Sequence, residues 1–494
     1  MRFSLLFAFC ALLALHFGCS PIDDFDTSSG ITLEFSVDTL RFDTVFTQVG
    51  SATRSIKVYN RNDSPIRISN IQLGDGGGSF FRLNIDGIPG DQASEVEVWA
   101  NDSIYIFAEV TIDPDQPLSV SPFVIEDKIF FETNGNMQEV TLEAWGQNAN
   151  YFPSRFNKGV TVGLGCQGGN VVWDDPKPYV IYGIIAIDDC LLTIPAGTRI
   201  YVHGGVAMDD NGAFNDGWLA TQESGSIHIL GTQEDPVIIQ GDRLEEVFLD
   251  EPGQWTGIYL GRGSKNNIIE HATIRNSIFG VYVDSTAALS MQNVEIYNTS
   301  SSGIIGFSST IEASNVLVYN NDFTSVQLLL GGNYSFNYCT IASYGVDASA
   351  ATLTNFFCYD DPVFCTVREQ RPLTATFENS ILFGSRSDEL QLGDITDNQL
   401  GWFNVSFDNC VVRVDDLLEQ EDGRYFNFFN EQCQNCINGD RQSILFVDTG
   451  EDDYRLDSLS IADGLAQPNA ITIDLEGVER DPMMPDAGCF ERVE

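Results

Sequence analysis

Basic residues are scarce in this chain. Its 494 residues include 25 Lys and Arg against 71 Asp and Glu, with four His, for a formal charge of −46 at pH 7. A surface this negative repels the phosphates of nucleic acids and anionic lipid headgroups, which excludes nucleic-acid binding and electrostatic membrane association. It also repels polyuronates unless Ca2+ bridges the two, so Ca2+ is the one ion worth considering and no other cofactor is implied. Long hydrophobic runs are missing too. Past the N-terminal segment, no stretch approaches the roughly 18 apolar residues of a membrane-spanning helix. Helical periodicity is absent beyond residue 18, and residues 31–147 contain no cysteine, so a domain there must hold by its core alone.

What is present favours strands. Hydrophobic residues make up 43%, with 34 Phe, 16 Tyr and 44 Gly, and Asn, Ser, Thr and Ile recur throughout. That mixture predicts an all-β chain rich in turns. Its length exceeds one ordinary core, so two domains or an elongated repeat array is expected.

Residues 1–18 read as a secretory signal: Arg2, an apolar run from Leu5 to Leu15 too short to cross a bilayer, then Gly18 before Cys19. Gly18-Cys19 resembles a lipobox, although His16 stands where that pattern has Leu. The following Ser20-Pro21-Ile22-Asp23-Asp24-Phe25-Asp26 resembles the acidic surface-export signal of Bacteroidetes lipoproteins. The resemblance implies lipidation of Cys19, a tether over 19–30, and residence at the outer membrane or cell surface, with membrane contact through the lipid alone. Nine further cysteines remain, an odd number, so at least one thiol is free or pairs between chains. Cys358 and Cys365 bracket a short segment rich in Asp and are candidates for a loop-stapling disulfide. Cys433-Gln434-Asn435-Cys436 is a lone CxxC without a second ligand pair for zinc, which favours a local disulfide or free thiols.

Residues 31–150 carry short alternating runs: Ile31, Leu33, Phe35, Val37; Ile66, Ile68, then Ile71, Leu73; Ile104, Ile106, Ala108, Val110, Ile112; and Val140, Leu142, Ala144. Turn clusters such as Arg61-Asn62-Asp63-Ser64-Pro65 separate them. About seven half-buried strands predict an immunoglobulin-like β-sandwich. The runs VYNRNDSPIRISNIQL and DSIYIFAEVTIDP resemble bacterial Ig-like modules related to ASPM–SPD-2–Hydin domains, which implies a spacer or docking role and no chemistry.

Residues 151–494 hold a repeat. Ile274, Ile296, Val318, Ile341, Leu382 and Val412 end six similar segments, with successive spacings of 22, 22, 23, 41 and 30. Two residues before each lies a second apolar or small residue (Ala272, Val294, Val316, Cys339, Ser380, Cys410). Two residues apart on a strand means the same face, so both columns point inward. Between the segments run columns rich in Asn: His271, Asn293, Asn315, Tyr338, Asn379, Asn409, and Asn276, Asn298, Asn320. One apolar strand set per repeat of about 22 residues predicts a solenoid, here a right-handed parallel β-helix ending in a C-terminal capping segment. The 41-residue spacing fits either a degenerate coil or an insertion. The elements Pro195-Ala196-Gly197-Thr198, Gly231-Thr232, Asp235-Pro236-Val237-Ile238, Pro252-Gly253-Gln254-Trp255 and, at the end, Pro485-Asp486-Ala487-Gly488-Cys489-Phe490 resemble a Bacteroidetes family of right-handed parallel β-helix repeat lipoproteins. The resemblance implies architecture and little about activity.

Such folds often act on polysaccharides. Hydrolysis needs facing carboxylates, and β-elimination needs a cation and a base. Arg262, Lys265, His271 and Arg275 form the densest basic cluster and are the weak catalytic candidates, against the reading that they pack turns and that His271 fills an Asn slot. Asp209, Asn211 and Asp216 are weak Ca2+ candidates in a segment that does not match an EF-hand. Trp218, Trp255 and Tyr259, with Tyr201 nearby, are candidates for a sugar-stacking platform, against aromatic packing inside the coil. The leading expectation is a surface lipoprotein presenting a β-helix for extracellular glycan binding or adhesion. The alternatives are a divergent polysaccharide lyase or glycoside hydrolase, and an envelope scaffold. Nothing in the sequence fixes an oligomeric state.

Overall fold

The computed structural model describes residues 25–46, 51, 53–112, 123–154, 156–157, 159–209, 212–360, 365–396, 399–419 and 424–493. The signal segment, Cys19 and Asn211 lie outside them. The chain divides into two compact units between Asn148 and Ala149.

The first unit is two five-stranded sheets around one core. One sheet is antiparallel, in the order Glu34–Phe35, Arg54–Tyr59, Ser103–Val110, Phe81–Ile85, Ile88–Pro89. The other runs Thr39–Phe46, Asn136–Gln147, Phe123–Thr133, Ile66–Leu73, Gln92–Val98, with its first pair parallel. The alternating residues face inward because burying one side of each strand removes apolar area from water. Ile66, Ile68, Ile106, Val110, Val140 and Leu142 are fully buried. Val37 instead points outward. Among the described residues ten strands appear where the alternation suggested about seven. The edge strand Gln92–Val98 is mostly exposed and polar, so it carries no readable apolar period.

The second unit is built on a curled 25-stranded sheet whose strands pair in parallel, each with the strand one coil earlier and one coil later. By pairing they fall into three columns, called sheets 1, 2 and 3 in the order the chain visits them. Tyr179–Tyr182, Arg199–His203 and Val237–Gly241 belong to sheet 1. Ile184–Ile187, Trp218–Thr221, Gly257–Leu260 and Val281–Val283 belong to sheet 2. Cys190–Pro195 and Ser226–Leu230 belong to sheet 3. The aliphatic column runs in register through sheet 1: Ile274 pairs with Ile296, then Val318, Ile341, Leu382 and Val412. All six are fully buried, as are Val294, Val316, Cys339 and Cys410 two residues earlier. Farther along, Phe336, Phe377 and Phe407 stack inside at 4.9 and 5.0 Å.

The 41-residue spacing is one coil with an insertion. Thr340–Ser343 pairs directly with Ile381–Gly384, and the extra length is an antiparallel hairpin, Phe356–Cys358 with Arg368–Gln370, stapled by a Cys358–Cys365 disulfide. A second hairpin, Gly205–Asp209 with Gly212–Asp216, lies between sheets 1 and 2. Cys166–Cys190 and Cys433–Cys436 are also disulfides, while Cys339, Cys410 and Cys489 are buried free thiols.

From residue 271 on, the turn from sheet 3 to sheet 1 is a single residue. His271, Asn293, Asn315, Tyr338, Asn379, Asn409 and Asn435 all occupy it with φ between 44° and 55°. Asn tolerates this left-handed region better than other non-Gly residues, which explains the column. Asn276, Asn298 and Asn320 are also left-handed, but they bond outward, to Leu249 and Glu251 carbonyls, to Asp250 and to Asp452 respectively. The C-terminal segment packs Leu445, Phe446, Tyr454, Leu456, Ala487 and Phe490 against Leu317, Tyr319, Phe383 and Val411 on the outer face of sheet 1. It flanks the coils along one side.

Two predictions follow from this packing. Phe377→Ala leaves a hole between two stacked rings and should cost about 3–5 kcal/mol in urea unfolding, with Phe377→Leu costing less. Glu389 is fully buried at the coil edge, where its two oxygens accept the Ala350 and Arg386 amides at 2.8 and 2.7 Å. Burial pushes its carboxyl up to about 7 from 4.5. A raised carboxylate contributes least to stability when ionised, so stability is fullest below about pH 4.5 and falls as pH rises to about 7, by at most about 3 kcal/mol. Urea midpoints measured across that range should show this loss in the native chain and a flatter profile in Glu389→Gln.

Candidate functional site

Aromatic side chains collect on the outward face of sheet 2. Tyr259 pairs with Tyr282 on the next coil, while their neighbours Ile258, Leu260, Val281 and Val283 point into the core. The period-two alternation of a strand therefore aims both phenols outward on adjacent rungs. Their ring centroids lie 5.4 Å apart. Trp218, one coil earlier, meets Tyr259 edge-on at 5.9 Å and Phe279 at 5.9 Å, and Phe279 meets Tyr282 at 5.9 Å. Trp218 Nε1 donates to the Asn215 carbonyl at 2.6 Å, which ties the indole to the Gly205–Asp216 hairpin. All four rings are half-buried, so each keeps some surface in water.

One carboxylate is bonded to this cluster. Asp284 accepts the Tyr259 hydroxyl through Oδ2 and its neighbour's amide, Ser285 N, through Oδ1. Burial, with Asp284 beside them, pushes the Tyr259 hydroxyl up and that of Tyr282 up to about 12, so both are neutral donors at pH 7. The stapled hairpin stands beside the same corner. Arg371 Nη1 donates to Ser285 Oγ and Ser308 Oγ, both at 3.1 Å, and the same guanidinium grips Glu369 through Nε at 2.9 Å. Tyr359 Oη donates to Glu369 Oε2 at 3.0 Å. These two bonds, that of Arg371 first, hold the Glu369 carboxyl below the usual range. Half-buried rings, neutral hydroxyl donors and a carboxylate acceptor form a surface suited to a ligand with apolar faces and hydroxyl edges.

The basic cluster read from the sequence does not converge. Arg262 and Lys265 sit on the turn from sheet 2 to sheet 3, where both are exposed and Lys265 Nζ donates to the Thr286 carbonyl. His271 occupies the turn from sheet 3 to sheet 1, where Asn293 Nδ2 bonds its Nε2 at 3.0 Å. Arg275 lies at the outer end of a sheet 1 strand and donates to Gln240 Oε1 at 2.9 Å and to Tyr297 Oη at 3.1 Å. The four residues are spread around the coil because successive strands turn away from one another. Arg262 alone reaches the aromatic corner, where its charge acts on Tyr259, Tyr359 and Glu369.

The Ca2+ candidates are also apart. Asp209 ends one hairpin strand opposite Gly212, while Asp216 is at the hairpin base opposite Gly205, four residues along, or roughly 13 Å. Asp216 is buried and accepts the Gly159 amide at 2.7 Å. Among the described residues no group of three or more His, Cys, Asp or Glu is arranged to hold a metal ion. Of the platform candidates, Trp218 and Tyr259 meet on the outer face. Trp255 does not: it is 1% exposed, donates to the Arg275 carbonyl at 2.9 Å and belongs to the core. Tyr201 lies on sheet 1. Phe279, Tyr282 and Asp284 went unread in the sequence, although Tyr259 and Tyr282 sit one coil apart in equivalent strand positions.

No family model matches the chain, and no curated protein matches it. Solved structures show partial similarity. The catalytic unit of a GH87 α-1,3-glucanase from Streptomyces thermodiastaticus aligns over 72% of each chain at 11% identity and a TM-score of 0.26. A family 123 glycoside hydrolase from Clostridium perfringens aligns at 9% identity and a TM-score of 0.20, over 28% of this chain and 31% of its own length. PapD-like domain 7 of human CEP192 aligns over 27% of this chain and 99% of its own, at 10% identity and a TM-score of 0.17. Similarity at this level assigns neither an activity nor a substrate.

Proposed function

We propose that this chain is a cell-surface lipoprotein that binds extracellular glycan on the outward aromatic face of sheet 2. In this reading residues 1–18 are a signal peptide, Cys19 carries the lipid, 19–30 form a tether, 31–150 an immunoglobulin-like spacer, and 151–494 a right-handed parallel β-helix. The observation that carries it is the cluster of Trp218, Tyr259 and Tyr282, half-buried on an outward face where strand alternation alone asks for polar side chains, joined by Phe279 from the turn before Val281–Val283. A sugar ring stacks its apolar face on such a surface and offers hydroxyls to Asp284 and the tyrosines. The Arg371–Glu369–Tyr359 network holds the hairpin beside it.

Glycan-array binding followed by titration tests the reading. The native chain should retain at least one oligosaccharide class, and Trp218→Ala or Tyr282→Ala should weaken it about tenfold or more, equivalent to about 1.4 kcal/mol or more. Binding to no glycan favours the scaffold alternative. Release of reducing ends or unsaturated sugars from a polymer, lost in Asp284→Asn, replaces binding by the lyase or hydrolase alternative. The anchor has its own test: Cys19→Ala should move the protein from the detergent phase to the aqueous phase.

A further inference from the structure

The residues that turn the chain from sheet 3 to sheet 1 carry a hydrogen-bond chain with a fixed direction. A guanidinium only donates, and Arg480 Nη2 lies 2.9 Å from Asn315 Oδ1. A carbonyl only accepts, and that of Ile473 lies 2.8 Å from Asn315 Nδ2. These two partners allow Asn315 one orientation. Its Nδ2 also donates to Asn293 Oδ1 at 2.9 Å. That contact turns the Asn293 amide nitrogen toward His271 Nε2, at 3.0 Å. An amide nitrogen has no lone pair to offer, so His271 Nε2 is the acceptor and its proton resides on Nδ1.

We propose that His271 is the pH-sensing end of this chain and that its protonation loosens the C-terminal segment over residues 470–480. A proton on Nε2 sets two donors against each other. Reversing the Asn293 amide relieves that clash but presents nitrogen to nitrogen at Asn315. Asn315 cannot reverse without abandoning both Ile473 and Arg480, its two bonds to the segment. Arg480 is nearly fully buried, with Tyr338 beneath its guanidinium at 3.8 Å and Glu491 Oε2 at 3.4 Å, so it has few other places to go.

The proton has a route and competing neighbours. An open groove of about 660 Å3 runs between His271 and residues 470–473. Glu270 precedes His271 on its own strand, and Glu234 faces it from the 231–236 turn; both favour the charged ring. Glu295, on the adjoining sheet 1 strand, lines a small cavity with His271, and Glu476 of the C-terminal segment lies near Glu295. Burial opposes the carboxylates and prevails, holding the His271 ring below 6.5. A depressed histidine contributes its full stability above about pH 6.5 and loses it as pH falls below that value.

Two measurements on the full chain test this. Imidazole 15N shifts at about pH 7.5 should show His271 protonated on Nδ1 and bare on Nε2, assigned by the signal missing from His271→Asn. Amide exchange of residues 470–480, corrected for intrinsic rate, should rise about fivefold or more between pH 7.5 and pH 5 in the native chain. It should stay flat in His271→Asn, which installs the residue already found at Asn293, Asn315, Asn379, Asn409 and Asn435 in the same column. An Nε2-protonated ring at pH 7.5, or an equal acid response in both proteins, would overturn the proposal.

Discussion

From His271 onward the second unit rests on one constraint: each coil reverses from sheet 3 to sheet 1 on a single residue in the left-handed region. A one-residue turn keeps the two strands in step with the neighbouring coils without an inserted loop, whereas the earlier coils reverse over the longer turns 196–198 and 231–236. A residue with a free Cβ resists that conformation. Asn meets both demands, because its short amide tolerates the backbone and bonds to the next coil. Asn293 with Asn315, and Asn409 with Asn435, are bonded this way. The column is therefore a backbone requirement first and a side-chain ladder second.

Because the turn fixes register, inward and outward positions stay constant over many coils. The inside becomes continuous: aliphatic from Ile274 to Val412, aromatic where Phe336, Phe377 and Phe407 stack. The outside is free to differ from sheet to sheet. Sheet 1 spends its outer face on the C-terminal segment, which covers Leu317, Tyr319, Phe383 and Val411. Sheet 2 keeps its outer aromatics half in water. Insertions fall between strands, where they leave the register untouched, and two of them, the 205–216 and 356–370 hairpins, border sheet 2.

The repeat was legible because its signal is local and recurrent. Ile274, Ile296 and Val318 fall at nearly constant spacing, and the pairings follow that spacing. The earlier coils hid it: Ile200 pairs with Ile239 and Ile239 with Ile274, at spacings stretched by inserted loops. Trp255 misled because composition does not say which face of a strand a ring takes. Its place just before Gly257–Leu260 looked like a partner for Tyr259, yet it turns into the core.

The basic cluster failed for a geometric reason that holds for any coil of this kind. Residues from 262 to 275 are close in sequence, but the chain turns two corners between them, so Arg262, His271 and Arg275 face different directions. Nearness in such a sheet runs along the column, one coil apart, where the strand spacing is about 4.8 Å. Tyr259 and Tyr282 are 23 residues apart in sequence and neighbours in space. His271, Asn293 and Asn315 are likewise neighbours. Side chains that meet on one face of this fold are therefore mostly written one coil apart. The turn column takes that form, and so do Trp218, Tyr259 and Tyr282, joined by Phe279 from the same coil as Tyr282, whereas the basic residues between 262 and 275 are dispersed around the coil.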